Sequence, residues 1–224
     1  MKVHGVLLAA GESSRFQGDK LFSEVKKKPL IYYPIETFLS CSQIDTLIIV
    51  CNKKNESKID QLLLNFETET KIELILGGNS RQESEQKALK TLKERNVHED
   101  DLIVIHDSAR AFLPEQLLFN LIDHAKENQS AAPFIKSPLL SKDMFEYVNE
   151  NVVEIQTPQI FNFKTLHKAY IKTSESNFDS VDTTERVSSE TGLEASLIQG
   201  SNLNKKITFK EDLDKIQILL KDKN

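Results

Sequence analysis

The chain has 224 residues, 39% of them apolar, and a formal net charge of −5. That size and apolar fraction suit one domain with a sizeable core, and the acidic balance argues against a nucleic-acid or anionic-membrane partner. Cys41 and Cys51 make neither a disulfide framework nor a zinc site. The apolar stretch after Met1-Lys2 is too short for a signal peptide, and no segment reaches membrane-spanning length, so a reduced, cytoplasmic setting is expected.

In chain order, short β-rich runs alternate with amphipathic stretches, which predicts an α/β fold with a mostly parallel sheet. Strands are expected at Val3–Leu8, Thr46–Cys51, Ile72–Leu76, Leu102–Ile105 and Ala131–Ile135. Helical patterns lie between them at Pro29–Leu39, Asn55–Phe66, Gln82–Glu94 and Pro114–Lys126, with both prolines read as first-turn residues. Lys26-Lys27-Lys28 reads as a solvated turn. From Lys136 to Gln156 the rhythm breaks, with only a short β-like run at Asn151–Ile155, and this stretch reads as an arm within a single domain spanning 1–224. A helix at Phe163–Thr173, a strand at Glu194–Gln199 and a helix at Lys210–Leu220 complete the chain.

The first strand ends in Ala9-Ala10-Gly11, then opens into Glu12-Ser13-Ser14-Arg15, with Lys20 beyond. Small residues let a ligand approach backbone N–H groups, while an arginine fork and a lysine point charge suit phosphates. A Walker A loop would need a glycine at Phe16, and a dinucleotide fingerprint would need glycines at Ser13 and Phe16. Both are therefore excluded. The plain alternative is a strand-to-loop turn with two solvated cations.

Four further motifs follow: Gly77-Gly78-Asn79-Ser80-Arg81-Gln82-Glu83-Ser84, His106-Asp107-Ser108-Ala109-Arg110, Thr157-Pro158-Gln159, and Gly200 to Thr208 with Asn204 and Lys206 inside it. In this order the set resembles the cytidylyltransferases that make CDP-methylerythritol in the non-mevalonate isoprenoid pathway, and their relatives that make CDP-ribitol and similar CDP-polyols. The resemblance runs from Val6 to about Leu213. It implies a Rossmann-like domain of the nucleotide-diphospho-sugar transferase type, CTP and a small polyol phosphate as substrates, and a homodimer that exchanges the arm.

Nucleotidyl transfer asks a protein to neutralise charge and align reactants, not to supply covalent chemistry. Arg15 and Lys20 would stabilise charge on the α-phosphate and leaving group, as in the resembled family. Asp107, a carboxylate at a strand's carboxyl end, suits Mg²⁺, which takes few protein ligands. His106 reads as a structural, hydrogen-bonding residue, since the nucleophile is an ionised phosphate that needs no base. Arg110 has the charge to hold the acceptor phosphate, and the resemblance gives Lys206 the same task. Lys206 and Asn204, two apart, would share one face of a strand. The resemblance also assigns Ala9, Ala10, Gly11, Gly78 and Ser84 to the nucleotide, the last two at the cytosine edge. A hydroxyl can donate or accept, so Ser84 alone does not identify the base.

Three departures from the family fall on the acceptor half. Its arginine upstream of Thr-Pro-Gln would align with Asn149, and no arginine occurs between Arg110 and Arg186. Lys136 or Lys142 could replace its charge, without its fork. The Asp-Thr and following basic residue that the family carries after the Ala131–Ile135 strand are missing, the chain reading Lys136-Ser137-Pro138-Leu139 there, and the Thr-Asp-acidic segment reads Asp182-Thr183-Thr184-Glu185. Methylerythritol 4-phosphate is the first expected acceptor and ribitol 5-phosphate the second. A non-catalytic nucleotide-binding paralogue is the alternative of another class.

Overall fold

The structure, a computed structural model, describes residues 1–11, 14–16, 18–136, 139–140, 147–149, 152–171 and 180–221. Strand β1 (Val3–Ala9) leads into two single turns of 3₁₀ helix, Ser14–Phe16 and Lys20–Phe22. Then come β2 (Glu24–Val25), β3 (Lys28–Pro29), α1 (Tyr32–Ser40), β4 (Thr46–Cys51) and α2 (Glu56–Leu63), followed by β5 (Lys71–Leu76), α3 (Arg81–Glu94) and β6 (Leu102–Asp107). The second half holds α4 (Glu115–Asn128), β7 (Ser130–Lys136), β8 (Leu139–Leu140), β9 (Tyr147–Asn149) and β10 (Val153–Ile155). It ends with β11 (Gln159–Asn162), α5 (Phe163–Ile171), α6 (Thr183–Thr191), β12 (Leu197–Gln199) and α7 (Lys210–Lys221).

The main sheet runs β10-β7-β11-β6-β1-β4-β5, with β12 also paired to β7. Strands β5, β4, β1, β6, β7 and β12 point one way, while β11 and β10 run against them. The sheet is thus mostly parallel, as expected. Strands β1, β4 and β6 are buried almost throughout, because helices cover both faces and only continuous apolar runs suit that position. Alternation splits the core in two. Leu7, Ile49 and Val104 meet Ile35, Phe38 and Leu121 on one face; Val6, Ile48 and Ile103 meet Leu89, Leu92 and Leu166 on the other. Among the described residues no helix is long and apolar enough to cross a membrane.

Several expectations need correction. Pro29 lies in β3, and α1 begins only at Tyr32. Pro114 is the N-cap of α4, one residue before the helix, with φ −64° that its ring sets anyway. Lys26 and Lys27 do form a turn, the two-residue loop of the β2–β3 hairpin, with φ of 47° and 67°. Strand β11 and helix α6 were not anticipated, although β11 sits in the middle of the sheet between β6 and β7. Asn204 and Lys206 do not share a strand face: a 3₁₀ turn covers Asn202–Asn204 and irregular chain follows. Part of the expected arm belongs to the main sheet, since β10 pairs with β7, while β8 and β9 pair with each other. Glu12, Ser13 and Lys142 lie outside the described residues.

Candidate functional site

A cavity of about 750 Å³ opens at the carboxyl ends of β1, β4, β5 and β6, where parallel strands deliver their following loops to one edge. Ala9, Ala10 and Gly11 line it from β1. Gly11 is exposed, and a Cβ built there would meet nothing within 4 Å, so the strand presents bare backbone to the cavity. Two buried apolar anchors place the cations that follow. Phe16 packs with Val25, Leu30 and Ile207, and Leu21 joins the core under α1. Arg15, beside Phe16, is exposed, and Lys20, beside Leu21, is half-buried; both line the cavity. Burial lowers the Lys20 ammonium from its ordinary value, Lys206 and Arg15 push it the same way, and Asp107 pulls it back. Three cations lining one cavity make a receptor for a polyanion.

The opposite wall is Asp107, the last residue of β6. Its Oδ2 accepts from Lys206 Nζ at 2.7 Å and its Oδ1 from Arg81 Nε at 3.3 Å. Burial would raise this carboxyl, but Arg81, Lys206 and Arg110 hold it well below the usual carboxylate range. Its backbone N–H donates to Thr157 Oγ1 at 3.1 Å, which ties the Thr157-Pro158-Gln159 motif to the site. Lys206 arrives because Ile207 shares the Phe16 cluster and donates its N–H to Ala109 O at 2.9 Å.

His106 is fully buried and pointed away from the cavity. Its Nε2 sits 3.0 Å from Arg110 O and its Nδ1 2.9 Å from Thr157 Oγ1. A carbonyl can only accept, so Nε2 carries the proton and the Thr157 hydroxyl donates to Nδ1. Burial lowers its pKa to about 4, leaving it neutral. It is the structural histidine the sequence predicts.

Arg110 is the expected site residue that the fold does not bring to the cavity wall. Its guanidinium is buried beside β10, donating to Asn204 O at 3.0 Å and Ile155 O at 3.5 Å, with Glu154 Oε1 at 3.6 Å. It adjoins the site through charge, since it helps hold Asp107 ionised. Asn204, also fully buried, donates to Thr157 O at 2.7 Å and so braces backbone.

The Gly77-Gly78 loop and the first turn of α3 form the third wall. A Cβ on Gly77 would fall 2.6 Å from Ala10 Cβ, and one on Gly78 would fall 2.1 Å from Glu83 Cβ, so neither position accepts a side chain as built. Ser80 caps α3 by accepting from Glu83 N–H at 3.1 Å, and Glu83 Oε2 accepts from the N–H of Asn79, the residue before the cap, at 2.6 Å. The Ser84 hydroxyl donates to Ser80 O at 2.9 Å and accepts from Gly78 N–H at 3.1 Å. Its proton is thus committed to the loop. What faces the cavity here is a fixed loop backbone with Ser84 beneath it.

Sequence reasoning missed four residues on this cavity: Asn52, Lys53, Arg81 and Lys87. Asn52 follows the carboxyl end of β4, so the strand-end rule applied to β6 would have found it. Lys87 lies three residues after Ser84 and seven after Ser80, one helix face, and its Nζ donates to Gly77 O at 2.7 Å. Arg81 stands inside the Gly77–Ser84 motif, but its role was not legible there, because its partners Asp107 and Thr183 are distant in sequence.

A sequence profile of the 2-C-methyl-D-erythritol 4-phosphate cytidylyltransferase family matches residues 3–222. The 2-C-methyl-D-erythritol 4-phosphate cytidylyltransferase of Dictyoglomus thermophilum is 32% identical over 224 residues, covering 95% of this chain and 94% of that one. The protein of the same name from Bacillus velezensis is 29% identical, covering 96% and 94%. In fold, the chain is similar to the crystal structure of 4-diphosphocytidyl-2C-methyl-D-erythritol synthase from Anaerococcus prevotii, with a TM-score of 0.82 and 24% identity over 98% of this chain and 96% of that one.

Proposed function

The chain belongs to the 2-C-methyl-D-erythritol 4-phosphate cytidylyltransferase family, and from that membership we propose how its residues carry the transfer of the cytidylyl group of CTP to 2-C-methyl-D-erythritol 4-phosphate. The observation that carries the reading is that Arg15, Lys20, Lys206 and Asp107 line one cavity, with Lys206 bound to Asp107 and Lys20 facing Lys206, Arg15 and Asp107 together.

An oxygen of the acceptor phosphate attacks the α-phosphorus of CTP, the bond from that phosphorus to the bridging oxygen breaks, and pyrophosphate leaves with the electron pair. Arg15 and Lys20 stand where the triphosphate meets the first loop and offset its growing charge. The Lys206 ammonium, half-exposed and bound among the described residues through one oxygen of Asp107, turns to the acceptor phosphate. Arg110 lies one layer behind, where its charge supports the same flank. The nucleotide lies along Ala9, Ala10 and Gly11, with the base edge at the Gly78 backbone that Ser84 holds in place.

Asp107 fits Mg²⁺. It is held ionised at the cavity wall, and among the described residues no group of three or more potential ligands competes with it. Mg²⁺ bound through Asp107 and the phosphates would supply neutralisation of phosphate charge. The further reading is a cytoplasmic homodimer. Cys41 and Cys51 are buried, unbridged thiols, and the β8–β9 ribbon pairs with no strand of the main sheet among the described residues, so it is free to meet a second copy.

Ribitol 5-phosphate stands as the second acceptor, favoured by the lack of any arginine between Arg110 and Arg186. Pyrophosphate release from CTP, measured with each polyol phosphate, tests the reading. Turnover with methylerythritol 4-phosphate at least about tenfold above ribitol 5-phosphate in kcat/KM is expected, a margin of about 1.4 kcal/mol. The reverse order would transfer the assignment to ribitol, and no release with either would sink it.

A further inference from the structure

Behind Asp107 lies a polar network that the transfer mechanism does not use. Arg81, on the first turn of α3, spends its guanidinium on three partners: Nη1 is 2.6 Å from Glu85 Oε1, Nε donates to Asp107 Oδ1 at 3.3 Å, and Nη2 to Thr183 Oγ1 at 3.3 Å. Glu85 is fully buried. Its Oε1 also accepts from Thr183 Oγ1 at 2.9 Å, and its Oε2 accepts from the Tyr170 hydroxyl. A carboxylate is seldom placed in a core unless it is paired and fully hydrogen-bonded. Every partner of Glu85 here comes from a different element: α3, α5 and the start of α6.

We propose that Glu85 is a positioning residue for the transfer: by binding one arm of Arg81 it stops that guanidinium from closing on Asp107, and so keeps the Asp107 carboxylate available to a divalent cation and phosphate. The proposal rests on the reading of Asp107 given above. An arginine prefers a two-pronged pairing with a carboxylate. Arg81 instead offers Asp107 only its Nε, at the longer distance, because Glu85 and Thr183 hold the two outer nitrogens. With Glu85 neutral or absent, Asp107 is the carboxylate Arg81 has left to grip. A gripped Asp107 is a poorer ligand.

The fitting experiment is calorimetry of CTP binding to the full chain, with and without Mg²⁺, above pH 7. Burial pushes the Glu85 carboxyl up to about 7, against the pull of Arg81 and Thr183, and on the alkaline side it is ionised. The gain in CTP affinity on adding Mg²⁺ is expected to fall by about tenfold in Glu85→Gln, the scale of an outer-shell change at a metal site. Affinity without Mg²⁺ stays unchanged. Thr183→Val, which frees Arg81 Nη2 for the same grip, should show the same loss and covers the case in which Glu85→Gln does not fold. Arg81→Lys, which has no fork to close on Asp107, should keep the gain. In Asp107→Asn the gain is already lost, and adding Glu85→Gln changes nothing more. An undiminished gain in Glu85→Gln, full additivity with Asp107→Asn, or no gain in the wild type would each overturn the proposal. Calorimetry needs no acceptor. If wild type releases no pyrophosphate yet loses its Mg²⁺-dependent gain on Glu85→Gln, the transfer reading fails while the part that Glu85 plays in keeping Asp107 available stands.

Discussion

The two halves of the sheet are held together by different physics. Around β1, β4, β5 and β6 the order is parallel, the registers are unbroken over six paired residues, and helices clamp both faces with aliphatic side chains. Around β7, the strands β10, β11 and β12 are only three or four residues long, β10 and β11 run antiparallel to it while β12 runs parallel, and side-chain amides and hydroxyls stitch the backbone. Gln159 alone accepts from the Thr183 and Thr184 N–H groups at 2.9 and 3.2 Å and donates to Asp182 Oδ2 at 2.9 Å. In the proposed reading the first half presents the nucleotide loops and the second supports the acceptor flank. Hydrophobic burial tolerates sequence change as long as volume is kept, whereas a buried hydrogen-bond network does not.

Chemistry at the mouth of the first half should respond most strongly. Arg15→Ala and Lys20→Ala are each expected to lower kcat by about 10²- to 10³-fold, the scale of removing one donor to developing charge. Circular dichroism should show both variants folded, because Phe16 and Leu21, not the cations, anchor the loop. Near-normal turnover in either would break the assignment of the phosphate loop. Next comes the core beneath it. Ile49 is fully buried in β4, and Ile49→Ala should lose about 4 kcal/mol in denaturant unfolding, with kcat retained under stabilising conditions. A loss below about 1 kcal/mol would mean that this half is not held by apolar packing.

What could be read from the sequence follows the same division. Thr46–Cys51 was legible to the residue because a strand covered on both faces must be apolar throughout, and the adjoining Ala9-Ala10-Gly11 and Asp107 then fell at strand ends. Gln159–Asn162 was illegible: its two outer residues are polar and each is satisfied by a partner remote in sequence. Thr183–Thr191 was missed for the same reason, since its N-cap Asp182 belongs to a network with Gln159 and not to an apolar periodicity. Arg110 shows the limit for side chains. Spacing located its backbone beside the site, but β10 decided where the guanidinium went.

Acidity probes the junction between the halves. Glu85 has a folded pKa of about 7 against 4.5 for the free carboxyl, so its contribution is present below pH 4.5 and is lost as pH rises towards 7. His106 has the opposite sign: at about 4 against 6.5, its contribution is present above 6.5 and is lost as pH falls towards 4. Between 4.5 and 6.5 the two slopes oppose each other. Glu85→Gln removes one of them, so the stability of wild type minus that of the variant should fall with rising pH by up to about 3 kcal/mol over the window. A flat difference would show that Glu85 is ionised throughout.

Polar stitching in the second half predicts a smaller loss. Gln159→Leu keeps the volume but strands two backbone N–H groups at the start of α6, which should cost about 2 kcal/mol. A neutral result would mean that water or Asp182 takes over, and that the amide is replaceable.

The smallest effects lie in two left-handed residues, one in each half. Lys27, with φ 67°, closes the β2–β3 hairpin on the nucleotide side. Gln129, with φ 63°, ends α4 and enters β7. A side chain at such a φ is strained by about 1 kcal/mol, and glycine relieves the strain while loosening the unfolded chain by roughly half as much. Helix α6 already has the relieved form, with Gly192 at its C-cap. Lys27→Gly should therefore gain about 0.5 kcal/mol, because the turn needs only the backbone. Gln129→Gly should gain nothing, since Gln129 Oε1 also accepts from Asn162 Nδ2 at 3.4 Å and the mutation leaves that buried amide without it. Thermal unfolding of the two variants side by side resolves the difference. Equal gains would mean that in the second half even the loop before β7 relies on backbone alone, and the division between the halves would stop short of their turns.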